Sequence, residues 1–276
     1  LARPPGPRGV TYDMPPGAEH LRRQLPIRSL DWGCRLSPDD FITTCGGTEA
    51  LALCLRAVTR PGDIVAVESP TYFGILRAME GLGLKAWEIP MHPRTGPDLR
   101  ALEAAIAKRH IAAFVSVPNF SNPLGTVMPD DAKAHLVDLL GRAGIPLIED
   151  DINGDLGFAG ARPRAAKSFD RRGLVLLCGS ASKTLAPGYR VGWVAPGKFL
   201  DRVKALKLTH TLATATLPQL AIAEFLARGG YDHHLRTLRA TFAAQVARVT
   251  SAITAHFPPR VKLRRRARGF GLLVGL

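Results

Sequence analysis

From about Phe41 onward the chain alternates short apolar runs with amphipathic stretches. Phe41-Ile42-Thr43-Thr44 reads as a strand, and Cys45-Gly46-Gly47 ends it. Leu51, Cys54, Leu55 and Val58 then recur at helical spacing, and Arg60-Pro61-Gly62-Asp63 closes that helix. Residues 64–67, 112–117, 145–148, 174–178 and 191–195 are further strand candidates, and 98–109, 130–143 and 198–212 are helical. Strands alternating with helices predict a three-layer α/β sandwich around a mostly parallel, buried sheet. Residues 231–256 read as one long helix, which Pro258-Pro259 breaks before two strand-like pieces.

The same pattern divides the chain into three parts. Residues 1–20, rich in Pro and Gly, form an N-terminal arm; 21–230 form the large domain; 231–276 begin a smaller C-terminal α+β domain. The sequence opens on Leu1 and stops within the apolar run from Gly269 to Leu276, so both ends are expected to be cut. An apolar share of 46% supports a sizeable core, and no stretch has the length and apolarity of a membrane-spanning helix. No signal peptide is visible, and Cys34, Cys45, Cys54 and Cys178 lack CxxC spacing, which fits free thiols in a reducing cytoplasm. The net charge of +14 fits either nucleic-acid contact or an arginine-rich background. Arg264, Arg265, Arg266 and Arg268 form a basic cluster too short to define a nucleic-acid module.

Each unusual polar cluster directly follows an apolar strand. In open α/β sheets ligands bind beyond the carboxyl ends of strands, so these clusters would share one site. In Ser180-Ala181-Ser182-Lys183-Thr184-Leu185-Ala186-Pro187-Gly188-Tyr189-Arg190, a lysine that forms a Schiff base needs partial desolvation to be nucleophilic. Two serines and Arg190 could hold a phosphate by hydroxyl donation and a charge-assisted fork. Gly46-Gly47-Thr48 opens a helix, where free N–H groups and the dipole favour phosphate. Glu149-Asp150-Asp151 could serve a metal, or could pair one carboxylate with a protonated pyridine nitrogen. The metal-nucleotide reading needs a phosphate loop. Its nearest match, Gly192-Trp193-Val194-Ala195-Pro196-Gly197-Lys198-Phe199, has Phe where a Ser or Thr must bind Mg²⁺. Gly81-Leu82-Gly83 mimics a dinucleotide fingerprint but follows a helix rather than a strand.

The order Gly-Gly-Thr-Glu-Ala, then Glu68-Ser69-Pro70-Thr71-Tyr72, then Asn122-Pro123-Leu124-Gly125, then Glu-Asp-Asp, then Ser-x-Ser-Lys-x-x-x-Pro-Gly-x-Arg-x-Gly-Trp resembles the fold-type I pyridoxal 5′-phosphate aminotransferases of class I/II. It is most similar to the aminotransferase-like domain of GntR/MocR-type bacterial regulators. The resemblance implies that Lys183 carries the cofactor as a Schiff base and shuttles the proton. Asp150 would keep the pyridine nitrogen protonated, Asn122 would bond the ring hydroxyl, and Tyr72 would stack on the ring. Gly47, Thr48, Ser180, Ser182 and Arg190 would hold the phosphate. Tyr12 resembles the tyrosine that reaches the neighbouring subunit's phosphate, which implies a homodimer. Two functions follow: transfer of an amino group between an amino acid and a 2-oxo acid, or effector sensing by a regulator with little turnover. DNA contact would come only through a segment ahead of Leu1. The sequence departs from the family at Ile152 and Asn153, where a tyrosine is usual. The arginine that clamps the substrate carboxylate belongs to the family's C-terminal domain, past Leu276.

Overall fold

A computed structural model describes residues 11–158, 161–258, 261–264 and 273–275. Helix α1 (Glu19–Asp31) precedes strand β1 (Ile42–Thr44) and helix α2 (Gly47–Val58). Then follow β2 (Ile64–Ser69), α3 (Phe73–Gly81), β3 (Lys85–His92), β4 (Gly96–Pro97), α4 (Leu99–Lys108) and β5 (Ile111–Ser116). The chain continues through α5 (Asp130–Ala143), β6 (Leu147–Asp150), β7 (Val175–Ser180) and β8 (Gly192–Ala195). Helices α6 (Leu200–Thr211), α7 (Thr216–Ala227) and α8 (Gly230–His256) lead to β9 (Lys262–Arg264) and β10 (Leu273–Gly275).

Eight strands form one sheet in the order β1-β8-β7-β6-β5-β2-β3-β4. The run β7-β6-β5-β2-β3 is parallel. Strand β8 runs antiparallel to both β7 and β1. The carboxyl ends of β1, β2, β5, β6 and β7 therefore meet the start of β8 at one sheet edge. The pair β9–β10 forms a separate antiparallel ribbon.

Strand alternation explains the layers. Val65, Val67, Val115, Ile148, Leu176, Cys178 and Val194 point to the face packed by Leu51, Cys54 and Leu55 of α2 and by Ile75 of α3. Ala66, Phe114, Leu147 and Val175 point the other way, against Leu102 of α4 and Leu136 and Leu140 of α5. A third cluster joins Leu21 and Leu25 of α1, Ile222 of α7 and Val191 beside the sheet edge. The expected sandwich is thus present, and the expected long helix over 231–256 is α8.

Besides the two-residue β4, three elements went unannounced in the apolar pattern. Strand β3 sits between β2 and the two-residue β4, is interrupted by Pro90, and mostly faces solvent, so it lacks the apolar run of a buried strand. Helix α1 carries Pro26 and a weakly apolar face, although it begins inside the stretch assigned to the arm. Helix α7 is apolar on most sides and shows no clear stripe. Residues 1–10 of the arm and Arg265, Arg266 and Arg268 of the basic cluster lie outside the described residues.

Candidate functional site

The turn after β7 carries the lysine. Ser180 ends the strand, and Leu185 N–H donates to the Ala181 carbonyl at 2.8 Å, closing one helical turn around Lys183. Ala181 N–H donates to the Val191 carbonyl at 3.0 Å and ties this turn to the start of β8. Lys183 itself is exposed on the strand-end side, whereas Thr184 behind it is buried.

Beside the lysine, a polar patch draws in two other elements. Ser180 Oγ lies 2.9 Å from Ser182 Oγ, and Ser182 N–H donates back to Ser180 Oγ at 3.1 Å. Arg190 reaches Ser182 Oγ at 3.5 Å through Nη1 and donates to the Cys45 carbonyl at 3.0 Å through Nη2. Its backbone is left-handed, with φ 51°, and that brings the guanidinium back over the β1–α2 corner. Gly46 also has positive φ, 88°, and a Cβ there would collide with the guanidinium. A Cβ on Gly47 would stand 3.1 Å from Ile152 Cγ2 and 3.5 Å from Ser180 Cβ. The glycine pair therefore lets the start of α2 approach β6 and β7 closely. Thr48 is exposed in the first turn of α2, whose N–H groups have no acceptor within the helix.

The three consecutive acids separate by strand alternation. Glu149 accepts from Ala166 N–H at 2.6 Å and Lys167 N–H at 2.8 Å. Asp151 pairs with Arg162 and accepts from Asn119 Nδ2 at 2.9 Å. Asp150 shares the face of Ile148, toward α2, and is 7% exposed. It accepts from Ile152 N–H at 3.3 Å, and no cation pairs with it among the described residues. Burial raises its pKa to about 6 despite the Ile152 N–H, with Asp151 adding repulsion. A second unpaired acid, Glu68 at the end of β2, accepts from Ser116 Oγ at 2.5 Å and Val117 N–H at 3.1 Å. Burial takes it to about 7, with a contribution from Asp150.

The remaining expected residues surround this centre. Tyr72 caps α3 directly after β2, half-buried, with its ring 4.9 Å from that of Phe73. Asn122 is exposed at the tip of the loop after β5, which is braced by Ser121 N–H to Thr126 O at 3.0 Å and Thr126 N–H to Ser121 Oγ at 3.0 Å. Tyr12 is 73% exposed and, among the described residues, makes no hydrogen bond to these groups. Ile152 stands two residues after Asp150 with an apolar side chain, and Asn153 Nδ2 is spent on the Phe120 carbonyl at 3.3 Å. Sequence reasoning passed over Asn119, Arg162 and His234, whose partners lie 32, 11 and 50 residues away along the chain.

An open, mostly parallel sheet that gathers a turn-borne lysine, an unpaired buried acid and a glycine-opened helix at its strand ends defines an α/β protein of the fold-type I transferase class. The chain belongs to the class I and II aminotransferase family, which it matches over residues 29–275. It is 41% identical over 265 residues to YjiR, an HTH-type transcriptional regulator of Escherichia coli, covering 96% of this chain and 56% of that protein. It is 29% identical to the 2-aminoadipate transaminase of Thermus thermophilus, covering 87% of this chain and 61% of that protein. The chain thus spans somewhat over half the length of these relatives. Among solved structures, the α-aminoadipate aminotransferase LysN of Thermus thermophilus, complexed with N-(5′-phosphopyridoxyl)-L-leucine, superposes with a TM-score of 0.87 at 26% identity, covering 95% of this chain and 66% of that one. The kynurenine aminotransferase of Pyrococcus horikoshii gives 0.87 at 28% identity, with the same coverage.

Proposed function

We propose that this chain binds pyridoxal 5′-phosphate on Lys183 and uses it to engage the amino group of an amino acid, as the aminotransferase-type half of a GntR/MocR-like regulator. One observation carries the reading: Asp150 at the end of β6, Ser180, Ser182 and Lys183 at the end of β7, and Arg190 before β8 meet at one sheet edge. Asp150 is a buried carboxylate lacking a countercharge, and a protonated pyridine nitrogen is the countercharge it fits. The glycine-opened start of α2, with Arg190 across it, fits a phosphate.

When bound, the cofactor supplies an electron sink for a carbanion at the amino acid Cα. The chain's own residues do the rest. Lys183 Nζ takes and returns the Cα proton. Asp150 holds the proton on the ring nitrogen. Gly47 and Thr48 offer backbone N–H groups to the phosphate, while Ser180, Ser182 and Arg190 offer side-chain donors. Tyr72 covers one ring face, Asn122 donates to the ring hydroxyl, and Tyr12 extends to the phosphate of a partner subunit in a homodimer.

The second reading is a working aminotransferase for an amino acid and a 2-oxo acid, and the relationship to 2-aminoadipate transaminase favours it. Ile152 and Asn153 weigh toward the sensor, because neither gives the ring hydroxyl the phenol donor usual in the family. Purified full-length protein should be yellow, and borohydride should fix the cofactor to Lys183. Lys183→Ala should be colourless, and equal colour in both proteins would sink the assignment. Repeated conversion of an amino acid with a 2-oxo acid would select the enzyme, whereas a single spectral change on amino-acid addition would select the sensor.

A further inference from the structure

Helix α8 spans 27 residues, about 40 Å, and its opening turns are anchored to the body. Tyr231 and Leu235 are buried at its start, while Thr250 is the one buried residue between 241 and 258. Its anchored end makes two separate hydrogen-bonded connections to the site.

The first connection runs to the lysine turn. His234 Nε2 lies 2.7 Å from the Thr184 carbonyl. A carbonyl only accepts, so Nε2 carries the proton and donates. Thr184 follows Lys183 directly, inside the single turn closed by Leu185 N–H. The imidazole is half-buried against the edge of the Phe225 ring, 6.0 Å between centroids, so its direction is set by packing on α7.

The second connection runs to the acidic turn. Tyr231 Oη donates to Asp155 Oδ2 at 3.1 Å, and Arg239 Nε donates to the Asp155 carbonyl at 2.7 Å. Asp155 holds Arg162 at 2.5 Å, Arg162 pairs with Asp151, and Asp151 accepts from Asn119 at 2.9 Å. This chain of bonds passes through the neighbour of Asp150 and ends in the loop that carries Asn122. The start of α8 is itself fixed by Arg28, which pairs with Asp232 at 2.8 Å and stands 4.9 Å over the Tyr231 ring.

We infer that His234 and Tyr231 are positioning residues that couple α8 to the cofactor site, His234 setting the placement of Lys183 through Thr184 and Tyr231 bracing the Asp150–Asn119 side through Asp155 and Arg162. A helix hydrogen-bonded at its start to both sides of a site couples them mechanically. A displacement of α8 reaches the lysine turn and the acid turn together. Conversely, filling the site stiffens the start of α8, since coupling between two places is reciprocal. The inference rests on the proposed role of Lys183, and it names the part of the chain through which a sensor domain would transmit occupancy.

The test uses full-length protein loaded with pyridoxal 5′-phosphate. His234→Leu should weaken cofactor retention about fivefold, the order expected for one lost hydrogen bond, and should diminish the visible circular dichroism of the bound cofactor. His234→Gln, whose amide nitrogen stands near the place of Nε2, should restore both. Cofactor loading should slow amide exchange over residues 230–240 about fivefold in the parent, and by a smaller factor in His234→Leu and Tyr231→Phe. Equal defects in the Leu and Gln variants, or exchange in α8 indifferent to loading, would overturn the coupling. Lys183→Ala separates the two levels. If colour survives that change, the reading of the site fails and this inference with it. If colour is lost there while His234→Leu behaves as the parent, this inference alone fails.

Discussion

At the scale of single residues, electrostatics distinguishes groups that the sequence presents alike. Glu149, Asp150 and Asp151 are consecutive acids, yet only Asp150 lacks either an ion-pair partner or a pair of backbone donors. Glu68 is in a similar position, buried and unpaired with a pKa raised to about 7. A carboxyl raised in the folded state binds its proton more tightly there. Its stabilising contribution is therefore complete below its ordinary value of 4.5 and is lost as the pH climbs through about 7. The difference is about 3 kcal/mol, at roughly 1.4 kcal/mol per unit. Glu68→Gln, compared with the parent by urea unfolding from pH 4 to 8, should flatten that loss; an unchanged pH profile would refute the assignment. Arg190 makes the charge-assisted part of the phosphate patch. Arg190→Gln should weaken cofactor binding about 10- to 100-fold, the range of one hydrogen bond to a charged group, measured by fluorescence titration of apoprotein. The motif residues were legible from type and spacing, because a lysine between serines with Pro-Gly and Arg after it is an uncommon cluster. Asn119, Arg162 and His234 were not, since each acts through a partner that only folding brings near.

At the scale of elements, the start of α2 is held in place by a buried tie to α6. Lys207 is 1% exposed, and its Nζ donates to Glu49 Oε2 at 2.8 Å and Thr211 Oγ1 at 2.6 Å. Glu49 Oε2 also accepts from Cys45 N–H at 2.6 Å, so the carboxylate braces the corner just before Gly46 and Gly47. Burial pushes the Glu49 pKa up, but the bonds from Lys207, Thr211 and Cys45 outweigh it and leave the pKa lowered. This tie is therefore at full strength above the ordinary carboxylate range and fails as the pH falls through the lowered value. Lys207→Met strands a buried carboxylate and should cost about 3–5 kcal/mol. A loss of unfolding free energy, measured in urea, of less than a quarter of that would show the tie to be weak. Apolar period announced α2, α5 and α8, each of which has a stripe to bury or a clear terminus. It missed β3, α1 and α7, where partial exposure, an internal proline or apolarity on most sides removes the period.

At the scale of the whole molecule, the arm around Tyr12 is tied to the body where Thr216 Oγ1 donates to the Thr11 carbonyl at 3.2 Å and Thr43 N–H donates to the Pro16 carbonyl at 2.9 Å, while the phenol itself is 73% exposed. A tyrosine that serves the other subunit's phosphate predicts complementation between defective chains. Mixed full-length dimers of Tyr12→Ala with Lys183→Ala contain one site with both groups intact. Such mixtures should regain tight cofactor binding at about half of the sites in each mixed dimer, counted by absorbance after gel filtration. Absence of any recovery in verified mixed dimers would exclude the shared site.

By itself the sequence determined the layered α/β plan and the order of the polar clusters, because apolar period and strand-end chemistry are local properties. It also carried the family likeness, since motif order survives without coordinates. Only the tertiary structure decided that β8 runs against its neighbours, that Asp150 alone of its triplet has neither an ion-pair partner nor a pair of backbone donors, and that α8 is bonded to both sides of the site. Strand direction, burial and hydrogen-bond partnership are relations between distant segments, and they take definite values only once the chain has closed on itself.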